Sequence, residues 1–273
     1  EEAEDFHVEQ FARAKRLARK PGPMLFLGLL LITLLASRDL LGGGSLTGGA
    51  LLPAPSGAGE LWDRVFSTWQ DVGTGGDQSA PPYLGFLALL STLLFGDPDL
   101  AVTLLLVGSV PLAGASAYFS SRPLVMSRLL RAWASVAYAL LPAVTGALAS
   151  GRLGTAVLAV LLPPLARAAV AATGYPTGGK GSWRAAWASA LLLTVVTAFT
   201  PVIWPLAVAL GGCVVVFPLR AGGALVKAKA LRVAAVVLTP VVLLLPWSLS
   251  VLFSPGEFVR EPGLPFPTAD ASA

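Results

Sequence analysis

The chain has 273 residues, of which 55% are hydrophobic and 12% charged, with a formal net charge of +4. Water-soluble domains carry about 25% charged residues to keep their surface solvated, so this composition excludes a soluble fold of this size and makes lipid the solvent for most of the chain. A single cysteine and a single histidine exclude a disulfide framework and thiolate or histidine-cluster metal sites, and bases are not interleaved with aromatics as in a nucleic-acid platform.

In chain order, residues 1–20 read as a charged, basic cytoplasmic linker, opening Glu1-Glu2 without an initiator Met. That start suggests a fragment of a longer polypeptide. A spanning helix needs about 20 apolar residues to cover about 30 Å. The run 21–37 is slightly short, and Lys20 and Arg38 flank it in position to snorkel to the two surfaces.

Residues 38–99 then form a long loop. It begins with the flexible Gly42-Gly43-Gly44-Ser45 stretch and continues into an amphipathic helix over 60–71. There Leu61, Trp62, Val65, Phe66 and Trp69 share one face, and Glu60, Asp63, Arg64, Thr68, Gln70 and Asp71 the other. Such a helix lies in the headgroup boundary. A second break at 73–82 leads to an apolar run, 83–95, of only about 20 Å at 1.5 Å per residue.

Further spans are expected near 100–119, 131–149, 154–173, 184–200, 202–219 and 233–253, with Pro111, Pro142, Pro163, Pro164, Pro205, Pro240 and Pro246 tolerated inside them. The expected fold is thus an all-α integral membrane module over 21–253. It has about seven spans, two juxtamembrane helices in the first extracytoplasmic loop, and an extracytoplasmic tail at 254–273.

Charge decides whether 83–95 crosses. If it does not, fourteen bases face the cytoplasm (Arg13, Lys15, Arg16, Arg19, Lys20, Arg122, Arg128, Arg131, Lys180, Arg184, Arg220, Lys227, Lys229, Arg232) against four outside (Arg38, Arg64, Arg152, Arg260). If it crosses, the balance reverses to seven against eleven. The positive-inside rule therefore puts the N-terminus in the cytoplasm and 83–95 against the outer face. Ten of the fifteen acids fall on that outer face, and none lies between Leu100 and Gly256.

Several motifs carry two readings. Asp39 follows the first span, where the helix dipole disfavours an acid. Pairing with Arg38 or exposure explains it, or a role as general base at the membrane surface. Arg152, in Ser150-Gly151-Arg152-Leu153-Gly154, either snorkels or grips a phosphate, whose geometry a guanidinium fork matches. Asp97-Pro98-Asp99 reads as a turn with Asp99 capping the next helix, or as a divalent-ion pair. Gly174-Tyr175-Pro176-Thr177-Gly178-Gly179-Lys180-Gly181 lacks the Ser or Thr after Lys180 and the preceding strand of a P-loop, and reads as a flexible inner loop. Cys213 is expected in the core. Arg167 is the one charge placed within a span, which argues against ion-coupled transport.

This plan resembles the polyprenyl-phosphate-dependent membrane glycosyltransferases of the GT-C fold. Over roughly residues 21–262 it is also similar to the membrane region of large actinobacterial family 2 glycosyltransferase proteins. The likeness rests on Gly48-Gly49-Ala50-Leu51-Leu52-Pro53-Ala54-Pro55, on Leu61-Trp62 with Trp69, and on Ala80-Pro81-Pro82-Tyr83-Leu84. Tyr138-Ala139-Leu140-Leu141-Pro142 and Ser150-Gly151-Arg152-Leu153-Gly154-Thr155-Ala156 also carry it.

The resemblance implies transfer of a sugar from a polyprenyl-phosphate donor to a cell-envelope glycan acceptor at the outer face of the plasma membrane. Asp39 would be the base, with Glu60 and Asp63 as second choices. Arg152 and Arg64 would hold the departing phosphate, and Trp62, Trp69 and Tyr83 the donor. No cofactor is expected, and a divalent metal has no support beyond the Asp97 and Asp99 pair. Two departures stand out: the cytosolic sugar-nucleotide domain of those proteins is absent, and GT-C enzymes have more spans. The alternative is a non-catalytic membrane anchor or export scaffold for a cytosolic family 2 domain.

Overall fold

Long runs of Leu, Ala and Val leave few side chains to satisfy backbone polar groups away from water, and the helix satisfies them internally. The computed structural model describes residues 21–38, 46, 51, 54–67, 80–174, 181–216, 223–253, 256 and 258. Among these residues the regular structure is all helical, without strands.

The helices are α1 (Pro21–Ala36), α2 (Ala58–Phe66), α3 (Tyr83–Leu93), α4 (Pro98–Val107), α5 (Ser109–Ser120), α6 (Arg128–Ala139), α7 (Pro142–Ser150), α8 (Leu153–Thr173), α9 (Trp183–Phe199), α10 (Ile203–Val216), α11 (Gly223–Leu243) and α12 (Trp247–Phe253). Among the described residues two stretches, Arg128–Ser150 and Leu153–Thr173, are long and apolar enough to cross a membrane. The number reaches four if each of two bent pairs is one span.

Helix boundaries follow local chemistry. Ser127 and Ser182 cap α6 and α9 by accepting the N–H of Leu130 and Ala185. Gly151 and Gly174 end α7 and α8 in left-handed conformations, at φ 69° and 67°. Gly108 keeps right-handed helical dihedrals, so α4 runs on into α5.

Small residues pack between the helices beside larger buried ones such as Leu61, Leu193 and Val196, and many large aliphatics lie outside. Ala88, Ala101, Ala113, Ala139, Ala156, Ala186 and Ala190 are fully buried, while Leu27, Leu31 and Leu35 leave an exposed stripe along α1. Small residues between helices and large aliphatics outside are what a lipid-solvated bundle requires. Gly114 shows how close the approach is: a Cβ there would overlap Leu29 Cδ1 and lie 3.3 Å from Ala139 Cβ.

The molecule has two chemically different ends. At one, Gly22 of α1 approaches the Tyr118 ring of α5, and Arg167 Nη1 donates to the Phe119 carbonyl at 3.2 Å. Arg232 stands over Trp183 there, 5.8 Å from the ring centroid. At the other, α2 and α3 lie across the turns between α7 and α8, α9 and α10, and α11 and α12. One buried cluster joins Leu61, Leu87, Ala101, Ala147, Leu153 and Ala156.

Four expectations need correction. The surface helix is Ala58–Phe66, not 60–71, because Ser67 turns extended (ψ 134°) and its N–H closes on the Asp63 carbonyl. Ser and Thr hydroxyls compete with helical backbone bonds, and Ser67-Thr68 follows Phe66 directly. The final span, 233–253, starts earlier, at Gly223, and is broken after Leu243 with a bend of 107°. Pro240 is absorbed, but Pro246 lacks a donor and constrains the residue before it. Asp97, not Asp99, caps α4, accepting the Leu100 N–H at 3.1 Å with Pro98 at the first helical position. Cys213 is exposed on α10.

Candidate functional site

The surface helix α2 is short and strongly two-faced, and it buries Ala58 and Leu61. It lies antiparallel on α3. Its first residue, Ala58, donates its N–H to the Gly96 carbonyl at 3.0 Å. One turn on, Trp62 Nε1–H donates to Thr92 Oγ1 at 3.0 Å, and Thr92 in turn donates to the Ala88 carbonyl at 2.8 Å. The Trp62 indole stacks on Phe66, centroids 5.8 Å apart. Phe95 and Gly96, at φ 62° and 83°, make the left-handed turn that leads into α4, and α3 and α4 meet at 104°.

At its other end α3 rests on the bundle through aromatic contacts. The Tyr83 and Phe86 rings lie 6.0 and 6.2 Å from that of Phe199, the last residue of α9. Between these surface helices and the bend at the end of α11 is a cleft of about 610 Å³. Trp62 and Val65 of α2 line it, with Gly85, Phe86 and Leu89 of α3 and residues 80–82 before it. Ser67, Leu243, Leu244, Leu245, Pro246 and Trp247 complete the lining. Most of the lining side chains are apolar, as suits a hydrocarbon ligand, with the Ser67 hydroxyl among them.

Charge sits on α2 beside this cleft. Arg64 Nη2 meets Glu60 Oε1 at 2.6 Å, while Ser56 gives Glu60 Oε2 its backbone N–H at 3.0 Å and its hydroxyl at 2.9 Å. The Ser56 N–H, then the Ser56 hydroxyl, then Arg64 hold the Glu60 carboxyl below the usual carboxylate range. Burial pushes the Tyr83 phenol up, and the Arg64 charge partly opposes it. Arg64 is therefore electrostatically coupled to both Glu60 and Tyr83.

Trp62, Glu60, Arg64 and Tyr83 are thus brought together by the pairing of α2 with α3. Asp63 is exposed on the same helix. Arg152 is exposed just ahead of α8, at the same end of the bundle, since its neighbours Ala147 and Leu153 share the buried cluster with Leu61. It does not line the cleft. Asp39 and Trp69 lie outside the described residues, as does the inner loop over 175–180. Among the described residues, no group of three or more His, Cys, Asp or Glu side chains gathers to hold a metal.

Sequence reasoning missed the wall formed by residues 243–247, together with Phe86, Leu89 and Phe199. Pro246 was the available signal: a proline so near the end of an apolar run marks a break as readily as a tolerated kink.

No protein-family model matches the chain, and no curated protein or solved structure does so either.

Proposed function

We propose that the chain is the outer-face membrane module of a glycosyltransferase that moves a sugar from a polyprenyl-phosphate donor to a cell-envelope acceptor. The observation that carries this reading is the apolar cleft of about 610 Å³ between α2, α3 and the bent end of α11, with Arg64 close by. An isoprenoid chain needs such a hydrocarbon-lined cleft, and its phosphate needs a nearby cation.

In this reading seven spans cross the plasma membrane: α1, α4 with α5, α6 with α7, α8, α9, α10, and α11, with α12 turned aside at the outer face. The N-terminus is cytoplasmic. The helix α3 has 11 residues, or about 16 Å at 1.5 Å per residue, and lies against the outer leaflet with α2. That arrangement agrees with the bias of bases toward the opposite end.

Asp39 takes the proton of the acceptor hydroxyl, whose oxygen attacks the anomeric carbon with inversion. The bond from that carbon to the phosphate oxygen breaks, and its electron pair leaves on polyprenyl phosphate. Arg64 and Arg152 stabilise the departing anion as preorganised cations. Asp63 is the second candidate base. Glu60, ionised and committed to Ser56 and Arg64, positions Arg64 instead. Trp62, Trp69 and Tyr83 flank the donor.

A photoreactive polyprenyl phosphate tests the reading. Crosslinks to Phe86 or to residues 243–247, competed by unlabelled polyprenyl phosphate, are expected. Absence of specific labelling would favour the anchor or scaffold alternative. In the full protein, Asp39→Asn should abolish transfer without loss of folding.

A further inference from the structure

The end of the bundle away from α2 and α3 holds a cation with no counter-ion among the described residues. Arg131, in the first turn of α6, is only 9% exposed. Its guanidinium stands 4.7 Å from the Tyr118 ring centroid. Its two hydrogen bonds, Nη2 to the Tyr118 hydroxyl and Nη1 to the Val125 carbonyl, are both 3.5 Å long, the outer limit for such a bond. Its Nε has no partner among the described residues.

No acid occurs anywhere between Leu100 and Gly256, and the described acids, Glu60, Asp63, Asp97 and Asp99, all sit at the opposite end. A buried charge is ordinarily paired, because desolvation is costly without compensation.

Two further guanidinium groups converge on the neighbouring residue. Arg122 lies 4.4 Å from the Phe119 ring centroid, and Arg167 Nη1 reaches the Phe119 carbonyl at 3.2 Å. The Tyr118 and Phe119 rings are 5.6 Å apart, with Arg131 over the first and Arg122 over the second. Beside them Leu124, Met126 and Leu129 are 81, 93 and 80% exposed. Cations next to bare aliphatic side chains match the two halves of a phospholipid, phosphate and acyl chain.

We propose that Arg131, with Arg122 and Arg167, binds the phosphate of an anionic membrane phospholipid whose acyl chains lie on Leu124, Met126 and Leu129. The lipid supplies the counter-charge that is absent among the described residues and fastens α6 to α5 and α8. The site is distinct from the cleft and does not depend on the proposed transfer reaction.

The test uses the whole chain in phosphatidylcholine nanodiscs, with phosphatidylglycerol titrated in and thermal unfolding followed. The wild-type Tm should rise saturably with phosphatidylglycerol. Arg131→Gln should require about tenfold more lipid for the same rise, the loss expected for one charged hydrogen bond. Arg131→Lys should fall between, since an ammonium keeps the charge but not the fork. If Arg131→Gln does not fold, the Arg122→Ala/Arg167→Ala double variant should show the reduced lipid sensitivity.

Three results would overturn the proposal. One is a Tm indifferent to phosphatidylglycerol, or equally responsive in the arginine variants. Another is full stabilisation by inorganic phosphate alone, which would remove the lipid as occupant. The third is that replacing Glu1, Glu2, Glu4, Asp5 and Glu9 by Gln lowers the lipid-free Tm as much as Arg131→Gln does, which would make the chain its own counter-ion.

Discussion

The ring of Phe199 lies 6.0 Å from that of Tyr83, so the last residue of α9 is the seat on which α3 rests. Phe199 is 3% exposed and also meets Phe86, which lines the cleft. Truncating it removes the support for one wall. Phe199→Ala should cost about 3–5 kcal/mol, read as a lowered Tm, and should weaken donor crosslinking at Phe86 more than at residues 243–247.

The hydrogen bond from Trp62 to Thr92 fixes α2 across α3. Trp62→Phe keeps the aromatic volume but removes the donor, and Thr92 retains its own bond to the Ala88 carbonyl. The expected loss is therefore modest, about 1 kcal/mol, measured by thermal or denaturant unfolding. Trp62→Ala should lose more, because the stack on Phe66 and part of the cleft wall go with it.

The Tyr83 phenol is raised above its ordinary value by burial, so the fold favours the neutral form. That stabilisation is present below the unfolded value and is lost as pH rises through the folded one. Absorbance at high pH, with Tyr83→Phe subtracted, should show Tyr83 titrating late. Arg64→Ala should delay it further, since the Arg64 charge favours the phenolate.

Glu60 behaves oppositely. Its carboxyl is lowered by Ser56 and then Arg64, so the contribution is present above the unfolded value and disappears as pH falls through the folded one. The group is exposed and the energy small. A carbon-13 titration of the Glu60 carboxyl should show Ser56→Ala moving it up toward the ordinary range.

Two helical glycines separate packing from propensity. Gly114→Val drives new atoms into Leu29, which is 2% exposed and has no room to swing. It should cost about 1–3 kcal/mol. Nothing lies within 4 Å of a Cβ built on Gly146 in α7, so Gly146→Ala should be neutral or stabilise by up to about 1 kcal/mol. Matched unfolding curves check both.

The helical character of the chain and its apolar, membrane-length stretches were legible because charge density and apolar runs are read directly from residue type. The two-faced pattern of Leu61, Trp62, Val65 and Phe66 gave α2, and the Gly151 and Gly174 turns fell where the apolar runs paused. What composition could not reveal was tertiary. The bend at Pro246 turns residues 243–247 into a cleft wall, and Ser56 and Arg64 both engage the Glu60 carboxylate. Arg131 looked like one more inner-surface cation, because burial depends on the approach of α5, which hydropathy does not record. Cys213 failed as a core residue for the converse reason: in lipid an apolar run need not face inward.

The proposed site requires α2, α3 and Arg152 to face the same compartment. In a Cys213→Ser background, single cysteines at Asp63 and Arg152 should be probed in intact cells with a membrane-impermeant maleimide. Labelling of both from outside is expected. Labelling of one from outside while the other reacts only after the cells are opened would contradict the account, because the proposed base, cations and cleft would no longer share one face of the membrane.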